Sequence, residues 1–209
     1  MWRSKNYLVH KYGQPFRLKF KIISKAEFSN ILPQVPDIGE SIFSFNYQFG
    51  PCYIAWYKAF VQLNLPPLEI DQNIWTMNER MLTIIPKCFL HACGKIYLNS
   101  FRKKALKHMS KKQRGLIHPY DWKIIYRAIN SNSFEIDITE CGLQKLAHTF
   151  NANGLLPGIC RMDYLFSNLM GNGFTRTQTL GDGDPCCNCH YELVGKCDWS
   201  PEKGFIDRK

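Results

Sequence analysis

Along the first third of the chain the apolar positions change period. In FRLKFKII, residues 16–23, they alternate with basic ones, which is the period of a half-exposed strand. The stretch NILPQVPDIGES that follows has the composition of a loop. From Pro51 to about Met109 the spacing becomes helical. Ile54, Tyr57 and Val61 share one face; Ile74, Met77 and Met81 share a second that Asp71 would cap; Phe89, Leu90, Cys93 and Tyr97 share a third that opens near Pro86. Phe101, Ala105 and Met109 continue the pattern, and Cys88 and Cys93 on or near these faces read as small hydrophobes.

After Pro119 the period shortens again. DWKIIYRAI and FEIDIT are rich in aromatic and β-branched residues and flank Asn130-Ser131-Asn132-Ser133, which predicts a hairpin with Phe134, Ile136 and Ile138 on one face. TECGLQKLAHTF then returns to helical spacing, with Thr139 as its cap and Asn153-Gly154 as its end. GICRMDYLFSNLM predicts a second helix, placing Ile159, Met162, Phe166 and Leu169 on one side and Cys160, Asp163 and Ser167 on another. FTRTQTL against CNCHYELV, turned by Gly181-Asp182-Gly183-Asp184-Pro185, predicts a second hairpin.

The expectation is an α+β chain, residues 1–209 as one domain. A mostly helical part (1–118) precedes a ββααββ part (119–195), whose antiparallel sheet is covered by helices, and a polar tail closes the chain (196–209).

The formal charge of +10 changes this picture little, because it is one-sided: residues 1–130 carry twenty Lys and Arg against seven Asp and Glu, and residues 131–209 seven against ten. The densest basic stretch, FRKKALKHMSKKQR, reads as a solvated helix face or as a contact to an anionic surface. No nucleic-acid motif accompanies it, so no nucleic-acid partner is expected. The longest apolar run, CYIAWYKAFVQLNL, contains Lys58 and ends at Pro66-Pro67, too short to cross a bilayer, so no membrane partner is expected either. Nine cysteines are an odd number and MWRSKNYLVHKYG lacks a signal-peptide h-region, which points to a reducing, cytoplasmic location.

The cysteines carry the candidate chemistry. Cys186 and Cys189 form a C-x-x-C without a second pair, and strand alternation would throw Cys187 to His190 to opposite faces, so no metal is assigned. GDGDP lacks a phosphate-binding fingerprint and its acids would repel phosphate. Cys141 falls in the first turn of its helix, where exposed N–H groups favour thiolate; Cys160 lies one turn from Asp163; Cys187 starts the last strand. Each could also be a buried small hydrophobe. Convergence of the three, with Arg176 nearby, would argue for a site.

FEIDITEC, then C-R-M-D, then RTQTLGDGDPCCNCHY resembles the L-2-amino-thiazoline-4-carboxylic acid hydrolase family over roughly residues 119–193. The matching positions are Cys141, Cys160, Asp163, Arg176, Thr177, Thr179, Gly183, Cys187 and His190. Asn188 stands where the family often has Asp, and Cys189 where it usually has Phe. The resemblance implies a hydrolase acting on a small cyclic C–N or C–S substrate, opening it to a carbamoyl-cysteine with no cofactor. Cys141, Cys160, Cys187 and Asp163 would be catalytic, and Arg176, Thr177, Thr179, Asn188 and His190 would bind substrate. A thiol would attack, Asp163 would handle a proton and Arg176 would pair with the substrate carboxylate. Arg176 reads equally as a cross-strand partner of Glu192 or another carboxylate, His190 as a hairpin-surface residue, and Thr177 and Thr179 as strand formers pointing away from Arg176. The rival reading is a non-catalytic thiol or metal-binding module that senses redox state or a ligand.

Overall fold

A computed structural model describes residues 2–197; the polar tail from Asp198 onward lies outside the described residues. Four long helices come first: α1 (Trp2–Ile31), α2 (Ser44–Gln62), α3 (Pro67–Leu82) and α4 (Lys87–Gln113). Then follow β1 (Lys123–Ala128), β2 (Ser133–Glu140), α5 (Gly142–Thr149), α6 (Leu156–Cys160), α7 (Met162–Met170), β3 (Gly173–Thr175) and β4 (Cys187–Glu192). The helical half precedes the antiparallel-sheet half as expected, with three helices between the two hairpins in place of the expected two. All strand pairs are antiparallel, in the order β1-β2-β4-β3, so the two hairpins share one sheet.

The strand expected at residues 16–23 is instead the second half of α1. Over eight residues, apolar positions at 16, 18, 20 and 22 mimic period two. Over the whole segment Leu8, Tyr12, Phe16, Phe20, Ile23 and Ile31 are among the residues packed into the core and form a helical stripe, joined by Tyr7 and Phe28, while Leu18 and Ile22 face solvent. The helix bends where Gly13 takes φ 83° and Pro15 supplies no N–H. Phe20 stacks on Phe60 of α2, ring centres 4.5 Å apart.

Several helical details also shift. α2 starts seven residues before Pro51, and Val61 points to solvent. Asp71 is not a cap: α3 begins at Pro67, and the buried Asp71 carboxylate accepts the Gly158 N–H of α6 at 3.1 Å. α4 runs unbroken to Gln113 and buries Gly94, Leu98, Phe101, Ala105 and His108, leaving Phe89, Tyr97 and Cys88 exposed. Gly94 allows a close helix approach beside the site: a Cβ there would collide with the Met170 carbonyl oxygen of α7. Because Phe101 lies 5.5 Å from the Tyr191 ring, the first half also covers the sheet, and one apolar core runs from α1 to β4.

In the second half Thr139 stays in β2, and the cap of α5 is Cys141, whose sulfur accepts the Gln144 N–H at 3.5 Å. α5 ends at Thr149, before the left-handed Asn151 and short of Asn153-Gly154. The single helix expected over residues 158–170 is two, stepping at Arg161. β3 is only three residues long. After Thr175 the chain leaves the sheet, tightens into a 3-10 turn at Leu180–Asp182, and reverses at Gly183 with φ 93°, a conformation that favours glycine.

Candidate active site

The register of the sheet decides which side chains face inward. Ile138 sits opposite Cys187, Ile136 opposite Cys189 and Phe134 opposite Tyr191, and all six are buried. The alternate positions form the outer face, where the Arg127 guanidinium grips Asp137 at 2.6 and 2.8 Å and Glu135 at 2.9 Å.

Between the inner face and the helices lies a cavity of about 360 Å³. Its walls include Cys141 from the cap of α5, Cys160 from the end of α6, Asp163 from the start of α7, Arg176 from the segment after β3 and Cys187 from β4. Five positions from five separate segments thus meet in one place. Ser167, one turn beyond Asp163, joins them, but so do Ile159, Met162 and Phe166, which the spacing places on another side. Aromatic and apolar side chains complete the walls, among them Phe43, Phe101, Trp122, Phe166 and Tyr191. The first half contributes much of that lining, which the motif positions do not reveal.

Arg176 is the centre of charge. Its side chain keeps only 2% of its surface accessible; Nη1 donates to Asp163 Oδ2 at 3.0 Å and Nη2 to the Cys160 carbonyl at 2.7 Å. The guanidinium lies 5.5 Å from the Tyr164 ring centre and 5.6 Å from that of Phe174, while its Nε is buried without a partner. Burial opposes the charge on Arg176, but the Asp163 carboxylate beside it offsets that and holds it protonated. The pair with Glu192 that a strand register would suggest does not form; Asp163 takes that place. For Asp163 burial dominates and raises its carboxyl above the ordinary range, although Arg176 pulls it down.

The three thiols differ. Burial pushes Cys141 up to about 11, overriding the N–H groups at the start of α5, so the helix terminus does not produce the thiolate expected there. Burial raises Cys160 further still, with Arg176 opposing. The Cys187 sulfur accepts the Leu180 N–H at 3.3 Å and shares a hydrogen bond with the Thr179 hydroxyl at 3.3 Å, in which either group can donate. Thr179 is fully buried and faces the same way as Arg176, against strand alternation, because the chain has already left the sheet.

Thr177, Asn188 and His190 do not join this group. Asn188 Oδ1 accepts the N–H groups of Thr177 and Gln178 at 3.0 and 2.8 Å, and its Nδ2 donates to the Thr177 hydroxyl at 2.7 Å. It is a staple for the irregular segment, which an amide performs as well as a carboxylate. His190 stands on the outer face, 3.4 Å from Glu135. Cys189 faces the core, 1% exposed, and burial raises its thiol to about 12. Among the described residues, no group of three His, Cys, Asp or Glu side chains is arranged to hold a metal ion, and no helix is long and apolar enough to cross a membrane.

The family model for L-2-amino-thiazoline-4-carboxylic acid hydrolase matches residues 49–191, which includes every wall position of the cavity from Tyr53 to Tyr191. The chain belongs to this family. No curated protein matches it. Among solved structures, the Fe(II) unliganded H-NOX protein from K. algicida aligns with 95% of this chain and 97% of its own length, at 10% identity and a TM-score of 0.39, and nothing about the site follows from so slight a likeness.

Proposed function

We propose that the protein is a thiol-dependent hydrolase that opens a cyclic isothiourea similar to L-2-amino-thiazoline-4-carboxylate. The observation that carries this reading is the convergence of Cys141, Cys160, Cys187, Asp163 and Arg176 on one cavity in a member of this family. Cys187 is assigned as the nucleophile, because the Leu180 N–H points at its sulfur and the adjacent Thr179 hydroxyl can turn its proton toward a thiolate as it forms. Its sulfur adds to the ring carbon between nitrogen and sulfur, and the ring C–S bond breaks, releasing the substrate thiol with the proton that Cys187 gave up. Water then adds to the same carbon and expels Cys187, leaving the carbamoyl-cysteine. Asp163, with a raised pKa, suits proton transfer at the ring nitrogen and at water. Arg176 is a positioning residue here: its forked nitrogens hold Asp163 and the Cys160 carbonyl, so it is not free to clamp a carboxylate with two hydrogen bonds.

The test is a mass-spectrometric assay for carbamoyl-cysteine from the thiazoline on the native chain and on Cys141→Ala, Cys160→Ala and Cys187→Ala. Loss of product with Cys187→Ala, together with alkylation of Cys187 by iodoacetamide in parallel with inactivation, is the expected outcome. A native chain without turnover, or a Cys187→Ala variant of undiminished rate, overturns it. Absence of turnover would move weight to the rival, a sensing module built on thiols, although burial raises Cys141 and Cys160 and so disfavours the thiolates that redox sensing uses.

A further inference from the structure

The cavity is larger and more apolar than a five-membered ring with one carboxylate requires. At about 360 Å³ it lies within the ~300–1,000 Å³ range of sites for drug-sized ligands. Its polar groups differ in exposure. Arg176 and Cys187 are buried, and Cys141, Cys160 and Asp163 are half-buried. Other lining residues are exposed: Phe45 near the start of α2, and Tyr97, Ser100 and Lys104 on α4. Exposure of these wall positions marks the mouth. Phe43 and Phe101, ring centres 5.5 Å apart, belong to the aromatic wall.

Only two cations among the described residues line this space, Arg176 and Lys104. Arg176 is committed to Asp163 and the Cys160 carbonyl. Two other lysines of α4 are committed as well, Lys107 to Glu40 at 2.7 Å and Lys111 to the Glu40 carbonyl at 3.0 Å. Lys104 has no hydrogen-bond or ion-pair partner among the described residues and stands at the rim of the aromatic wall.

We propose that Lys104 anchors the anionic group of the substrate at the mouth of the cavity, and that the substrate is an elongated amphiphile whose apolar body fills the aromatic wall while its reactive head reaches Cys187. This deepens the hydrolase reading and rests on it for the word substrate, but its binding geometry is testable without turnover. A carboxylate on a five-membered ring held at Cys187 leaves the outer cavity empty; an aryl or alkyl spacer lets one molecule satisfy both ends.

The experiment is calorimetric titration of octanoate and 4-phenylbutyrate, and of their two carboxamides, into the full chain and into Lys104→Met and Lys104→Arg. The expected result is a carboxylate preference of about fivefold in the native chain, the upper end for a solvent-facing ion pair. It should be lost in Lys104→Met, kept in Lys104→Arg, and reduced by added salt. Bound carboxylate should also slow iodoacetamide modification of Cys187, which locates it in the cavity. Binding of none of the four compounds, equal binding of acids and amides, or a preference that survives Lys104→Met each overturns the proposal. Turnover of the thiazoline without any carboxylate preference sinks this inference and leaves the hydrolase reading standing; a preference without turnover does the reverse.

Discussion

The Asp163–Arg176 pair can be broken from either side, and the two breaks should differ. Asp163→Asn leaves a guanidinium whose side chain is 2% exposed without its counter-ion. Removing one partner of a buried pair costs about 3–5 kcal/mol, and the low end applies because Nη2 keeps the Cys160 carbonyl. Arg176→Met leaves a carboxyl that retains 34% of its side-chain surface and escapes by taking up a proton, so about 2 kcal/mol is expected at pH 5, for the lost hydrogen bonds and ring contacts. The pH dependence is the sharper signature. Asp163 is raised by burial already, and Arg176 is what pulls it down, so Arg176→Met raises it further. A carboxyl whose folded pKa exceeds its unfolded value binds more protons when folded; its contribution is harmless below the unfolded pKa and becomes a cost as pH rises toward the folded one. Arg176→Met should therefore lose further stability between pH 5 and pH 8, while Asp163→Asn, with no carboxyl to titrate, should not show this added loss. Urea unfolding followed by tryptophan fluorescence at both pH values measures this. An Arg176→Met chain equally stable at the two, or less stable at pH 5 than Asp163→Asn, would refute the reasoning.

Two other perturbations test how the site is framed. Asp71 is raised to about 7 by burial, with the Gly158 N–H and Arg161 pulling the other way, so the native chain should lose stability as pH rises from about 4 toward 7; Asp71→Asn should flatten that slope in the same unfolding assay, and an unchanged slope would show that Asp71 does not titrate there. Gly94→Ala drives a methyl against the Met170 carbonyl of α7, backbone that cannot turn aside, and should cost about 1–3 kcal/mol while lowering turnover through the α7 residue Asp163; a melting temperature equal to that of the native chain would show that α4 and α7 are not held at this separation.

How much of the fold and the site is legible in the sequence depends on how local the determining physics is. The hairpin at residues 121–139 is legible, because period two persists on both sides of a polar turn and the buried positions Phe134, Ile136 and Ile138 lie within one strand. Residues 16–23 pass for a strand because eight positions are too few to separate period two from a helical stripe that needs the span from Leu8 to Ile31. Cys141, Cys160, Asp163, Arg176 and Cys187 are identifiable as motif positions. Their partners are not, since the Arg176 contact to Asp163 depends on where α7 begins. Nor is the aromatic wall, because Phe43 and Phe101 lie far from the motif in sequence and reach the sheet only through tertiary packing.

The segment RTQTLGDGD shows why pattern alone misassigns individual side chains. Had it continued β3, alternation would have placed Arg176 and Thr179 on opposite faces. Instead the strand stops at Thr175, Asn188 receives the Thr177 and Gln178 N–H groups, and Asp184 receives that of Thr179 at 2.7 Å. These acceptors replace the lost strand hydrogen bonds. The departure turns Thr179 inward and brings the Leu180 N–H onto the Cys187 sulfur. The polar residues that look like a catalytic inventory in the motif therefore divide by role. Asn188 and Asp184 hold the chain out of the sheet, and that detour sets the Leu180 N–H and the Thr179 hydroxyl against the sulfur.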